Sequence, residues 1–132
     1  MRNPEHLRPK HADQSVILVA EDEVMIQDIA RNTLEQEGYF VLAADNGEDA
    51  LFLSQQYPGQ IHLLLSDVIM PKMSGIELSR RILTERPDIQ ILLMSGFAEN
   101  ADPIFPFLQK PFGVKQLIDT IKGIIPVRHQ IE

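Results

Sequence analysis

The sequence predicts an α/β fold, a five-stranded parallel sheet doubly wound with helices. Two observations lead there. Short apolar runs alternate with stretches of helical spacing along the chain, and strand–helix alternation implies parallel strands joined by crossovers. The runs are apolar at nearly every position, as in Val16-Ile17-Leu18-Val19-Ala20, which is how strands covered on both faces read.

The elements run in order. Residues 1–14 are polar, carry Pro4 and Pro9, and read as a flexible arm ahead of a domain over 15–126. Val16 to Ala20 is the first strand. Glu23 to Glu37 has helical spacing, with Met25, Ile26, Ile29, Ala30 and Leu34 on one stripe, and Gly38 stops it. Tyr39 to Ala44 is the second strand. Asn46 or Asp45 caps a helix carrying Ala50, Leu51, Leu53 and Tyr57, ended by Pro58-Gly59. Ile61 to Ser66 is the third strand. Ser74-Gly75-Ile76-Glu77 fits a capping box and opens a helix with Ile76, Leu78, Ile82 and Leu83 inward. Ile89 to Ser95 is the fourth strand and Phe107 to Gln109 the fifth. Between them, Pro103 and Pro106 oppose a regular helix, so a fourth helix there is expected to be short or irregular. Val114 to Ile125 forms the last helix, closed by Pro126, and 127–132 is a short tail with no room for an output domain.

Composition narrows the function. With 132 residues, one domain is expected. The 12 basic and 19 acidic residues give a net charge of -7, which offers no electrostatic case for direct nucleic-acid binding or for an anionic membrane. No cysteine is present, so thiolate zinc sites and disulfides are excluded. Neither a signal-peptide core nor a bilayer-length apolar stretch occurs, and the expected location is the cytoplasm.

The chemistry gathers at one end of the sheet. In open α/β sheets ligands bind beyond the carboxyl ends of the strands, at the switch point, which for the flavodoxin-like order 2-1-3-4-5 lies between strands one and three. Those strands end at Glu21-Asp22 and at Asp67, strand four at Ser95, and strand five at Lys110. Two carboxylates about 4 Å apart repel by roughly 4 kcal/mol at an effective dielectric near 20, so such a cluster needs cations. Lys110 supplies one. Mg2+ (or Mn2+) suits the rest, since it binds carboxylates, keeps waters and favours phosphate oxygens. This combination points to phosphoryl transfer, with Asp67 as nucleophile.

Val19-Ala20-Glu21-Asp22-Glu23, Asp67-Val68-Ile69-Met70-Pro71 with Ser74-Gly75, Met94-Ser95-Gly96 and Lys110-Pro111-Phe112 together resemble bacterial response regulator receiver domains, over Val16 to Ile125. The motifs look most like receivers of hybrid histidine kinases and phosphorelays. The resemblance implies that Asp67 is the phosphoacceptor and that Asp22, Asp67 and the Ile69 backbone carbonyl hold the metal, with Glu21 acting through water. It implies Ser95 and Lys110 as phosphate contacts, Ser95 and Phe107 as switch residues, and a cis bond before Pro111. Its partners would be a sensor histidine kinase or a histidine phosphotransfer protein, with the downstream target unassigned and a homodimer left open. The chain would be a signalling switch rather than a metabolic enzyme, catalysing only its own phosphorylation and dephosphorylation.

Plainer readings stand beside these. Glu23 suits a helix N-terminus. Ser95 taken alone is a satisfied strand-end hydroxyl, and Phe107 taken alone is core. The four histidines, His6, His11, His62 and His129, converge on no common point. One rival is a phosphorylation-independent interaction module on the same fold. Another, an aspartyl-phosphate phosphatase, needs a general acid two residues after its nucleophile, where this chain has Ile69.

Overall fold

The computed structural model describes residues 13–127; most of the predicted arm and tail lies outside this range. Five strands, β1 (Val16–Ala20), β2 (Phe40–Ala44), β3 (Leu63–Asp67), β4 (Gln90–Ser95) and β5 (Phe107–Gln109), form one sheet. All neighbours are parallel and the order is β2-β1-β3-β4-β5, as the sequence predicts. Four helices cover it: α1 (Val24–Gln36), α2 (Gly47–Gln56), α3 (Gly75–Glu85) and α4 (Val114–Ile124).

Alternation along each strand builds two cores. Ile17, Val19, Leu63, Leu65, Leu92, Met94 and Leu108 pack with Ala30 and Leu34 of α1 and with Leu117 and Ile121 of α4. Leu18, Ala20, Leu64, Ile91 and Leu93 pack on the other side with Ala50 of α2 and with Leu78 and Ile82 of α3. Burying each such aliphatic side chain contributes about 1.5–3 kcal/mol.

The local signals for α2 and α3 take physical form. Asn46, rather than Asp45, caps α2, its side chain accepting the Asp49 amide at 2.8 Å. Ser74 Oγ accepts the Glu77 amide at 3.1 Å. Only this half of the capping box is seen; the Glu77 carboxylate instead accepts from Arg81 Nε at 2.9 Å. Arg86, just past α3, donates to the carbonyls of Ser54, Tyr57 and Gly59 and so ties the end of α2 to that of α3.

Two expectations need correction and a third is met. On α1, Met25 is 77% exposed and Ile29 50%, and the inward stripe runs through Gln27, Ala30 and Leu34. Met25 lies in the first turn of α1, and Ile29 borders an apolar groove with Ile26, Pro111 and Phe112 instead of joining the core. The third strand starts at Leu63 rather than Ile61, and His62 sits just before it. Its Nδ1 accepts the Val16 amide at 2.9 Å and its own amide donates to the Val16 carbonyl at 2.8 Å, which pins β3 to the start of β1. Between β4 and β5, the expected short or irregular helix is a single 3-10 turn, Ala98–Asn100.

Candidate functional site

Register brings the site together. Glu21, Asp67 and Lys110 each lie two residues beyond a side chain of the α1–α4 core, namely Val19, Leu65 and Leu108. Continuing the alternation puts all three on the same side of the sheet at its carboxyl end. Glu21, Asp22 and Asp67 offer carboxylate oxygens within 4.8 Å of one another. Lys110 Nζ lies 2.6 Å from Glu21 Oε1 and 3.2 Å from Asp67 Oδ2. The peptide bond between Lys110 and Pro111 is cis.

Burial sets the electrostatics. Glu21 is fully buried and Asp67 nearly so, whereas Asp22 is exposed. Desolvation pushes the Glu21 carboxyl up to about 7, against the pull of the Lys110 hydrogen bond and the Glu23 amide. Desolvation also raises Asp67, opposed by Lys110. Burial alone would lower the Lys110 ammonium, but its bonds to Glu21 and Asp67 outweigh that and lift it.

The expectation that Glu21 reaches a metal through water meets a carboxylate engaged at both oxygens. Oε1 holds Lys110, and Oε2 accepts the Glu23 amide at 3.1 Å. Ser95 is buried, and its Oγ accepts from the Phe97 amide at 3.2 Å and Asn100 Nδ2 at 3.0 Å. Phe107 is half-buried and packs with Phe105 against the α2–α3 core. The Ile69 side chain is 60% exposed.

The loop after Asp67 is held by close approach. The Val68 amide donates to the Met94 carbonyl at 2.9 Å, and the Gly75 amide to the Val68 carbonyl at 2.8 Å. A Cβ on Gly75 would stand 2.1 Å from the Asp67 carbonyl oxygen, so only glycine lets α3 begin there. Lys72 adopts φ 73°, a left-handed conformation that costs a non-glycine residue about 1 kcal/mol.

Two residues beside the site, Gln27 and Asn100, carry little or no sequence signal. Gln27 Nε2 donates to the carbonyls of Glu21 and Ala44 at 2.9 and 3.1 Å and to Asp45 Oδ1 at 2.9 Å, fastening the ends of β1 and β2. Its signal was the i, i+3, i+7 spacing with Ala30 and Leu34, masked by its polarity. Asn100 gave no signal, because a 3-10 turn has no periodicity to read.

The oxygen donors fit a small hard cation. Carboxylates suit Mg2+ or Mn2+, and Asp22 and Asp67 would hold it.

A doubly wound parallel sheet with an acidic cluster and a lysine at its switch point defines a CheY-like α/β domain. Residues 17–122 match the family model of the response regulator receiver domain, and the chain belongs to that family. It is 38% identical over 116 residues to the response regulator receiver protein CpdR of Brucella abortus, covering 83% of this chain and 95% of that protein. It is 36% identical over 118 residues to the sensor kinase CckA of the same organism, covering 84% of this chain but only 12% of the kinase. A receiver domain structure from Clostridium thermocellum superposes with a TM-score of 0.76 at 27% identity, covering 84% of this chain and 94% of the other. The chain is thus a receiver of two-component systems.

Proposed function

We propose that Asp67 accepts a phosphoryl group from a phosphohistidine, carried by a sensor histidine kinase or a histidine phosphotransfer protein in the cytoplasm. The observation that carries this reading is the Asp67 carboxylate at the carboxyl end of β3, with Lys110 Nζ at 3.2 Å and the Glu21 and Asp22 carboxylates beside it. One Asp67 oxygen attacks phosphorus, the P–N bond breaks, and imidazole leaves. Lys110 offsets charge on the phosphoryl oxygens. Bound Mg2+ or Mn2+ would neutralise further charge on those oxygens. The product is an acyl phosphate on Asp67, which shifts a two-state equilibrium that engages Ser95 and Phe107. The chain acts as a signalling switch rather than a metabolic enzyme, and its catalysis is confined to gain and hydrolysis of its own phosphoryl group.

The relatives support the choice of partner, since one is named a sensor kinase and another a response regulator receiver protein. An apolar groove of about 470 Å3, lined by Ile26, Ile29, Pro111 and Phe112, adjoins Lys110. A protein that brings a donor to Asp67 therefore has apolar surface to rest on. Among the described residues, no helix is long and apolar enough to cross a membrane.

Incubation with magnesium and phosphoramidate, read by intact mass, should add one phosphate. Asp67→Asn should abolish the addition. Equal labelling of the variant removes Asp67 from the reaction, and no labelling of either chain favours an interaction module that works without phosphate.

A further inference from the structure

We propose that Asn100 is a positioning residue that holds the Ser95 hydroxyl away from Asp67 until a phosphoryl group draws it across. The inference rests on the phosphoacceptor reading of Asp67 and adds a residue and a direction to it.

Register sets the starting point. Ser95 continues the alternation of Ile91 and Leu93, which pack into the α2–α3 core. Asp67, Glu21 and Lys110 continue the alternation of the opposite core. The backbone nevertheless places Ser95 between the two reactive strands. Met94 pairs with Asp67 across β3 and β4, and the Ser95 carbonyl accepts the Lys110 amide at 2.8 Å. The hydroxyl is therefore next to the site but aligned with the other side of the sheet.

Hydrogen bonds keep it there. A serine oxygen has two lone pairs, and both have donors here: the Phe97 amide at 3.2 Å and Asn100 Nδ2 at 3.0 Å. The 3-10 turn Ala98–Asn100 delivers Asn100 to this position, closed by the Asn100 amide on the Phe97 carbonyl at 3.0 Å. Ser95 is buried, so water competes poorly for its oxygen. Swinging the hydroxyl toward a phosphoryl oxygen on Asp67 breaks the bond from Asn100 and frees the turn. The two sets of bonds then exclude each other, and the strand-end hydroxyl couples the phosphoryl group to the segment that replaces a helix.

The sign of the effect is testable. A latch that stabilises the resting state opposes phosphoryl capture, so removing it strengthens capture. Beryllium fluoride with magnesium serves as the probe, its affinity for the full chain measured by calorimetry. Asn100→Ala should bind it about threefold to tenfold more tightly, the range expected from losing one hydrogen bond of the resting state. In a Ser95→Ala background the same substitution should change nothing, since the latch acts only through that hydroxyl. The Phe97 amide resonance should move on probe binding in the unsubstituted chain. Unchanged or weaker binding by Asn100→Ala, or an equal gain in the Ser95→Ala background, overturns the latch alone. Failure of the unsubstituted chain to bind, or equal binding by Asp67→Asn, overturns the phosphoacceptor reading and the latch with it.

Discussion

The loops after β3 and β4 leave neighbouring strands at the same end of the sheet, yet they are specified differently. The loop after β3 is fixed by contact: Val68 and Met70 are buried, Gly75 touches the Asp67 backbone, and Met73 lies where a side chain on Gly47 would have to go. The longer loop after β4 leaves Phe97 59% and Ile104 76% exposed. A Cβ on Gly96 would meet nothing within 4 Å. The difference teaches where precision is needed. On the proposed reading, a carboxylate that is to react needs a fixed backbone, whereas a segment that is to report on it needs freedom to move.

The comparison is most easily broken at its glycines. Gly75→Ala should destabilise the chain by about 3 kcal/mol or more, because its Cβ collides with the backbone of a buried strand. Gly96→Ala should stay within about 0.5 kcal/mol. Urea unfolding of both variants checks this, and equal losses would erase the distinction between the loops.

Next in size is a pH effect on the cluster beside the fixed loop. Burial pushes the Glu21 carboxyl from its ordinary 4.5 up to about 7 in the folded chain. Between these values the folded chain keeps a proton that the unfolded chain has released, so raising pH favours unfolding. Asp67, also raised, acts in the same direction. Without metal, stability should fall on the order of 2 kcal/mol from about pH 4.5 to about pH 7. Glu21→Gln should flatten the slope in urea titrations at several pH values, and a slope that survives the substitution would place its origin elsewhere.

A smaller effect is expected at Lys72. Its left-handed backbone favours glycine, so Lys72→Gly should stabilise the chain by about 0.5 kcal/mol, after the entropy that glycine adds to the unfolded state. A loss instead would mean that the Lys72 side chain makes contacts worth more than the strain. Smallest of all, Ile104→Ser should shift the thermal midpoint by about a degree or less, its side chain being mostly in water.

The same contrast governs what could be read from the sequence. Strand order and the converging positions Asp67, Asp22 and Lys110 were legible because apolar runs mark buried strands and charged residues mark their ends. Periodicity names a stripe on α1 but not which of its residues the core covers, so Met25 and Ile29 read as inward although they are exposed. Ile61 and His62 are as strand-compatible as Leu63 and Leu64, so the pattern starts β3 two residues early. Asn100 is invisible in the sequence, because it meets Ser95 outside any regular period and no local pattern encodes that.

The Lys110 ammonium between Glu21 and Asp67 gives the cluster a resident counter-ion. A tethered ion does not dilute; the fold fixes its effective concentration at the carboxylates whatever the solution contains. A free cation held by Asp22 and Asp67 would then meet an acidic cluster whose charge is already partly offset. A singly charged ion would add little to what the lysine supplies. A small doubly charged ion would add more, so the tether would favour ions of higher valence.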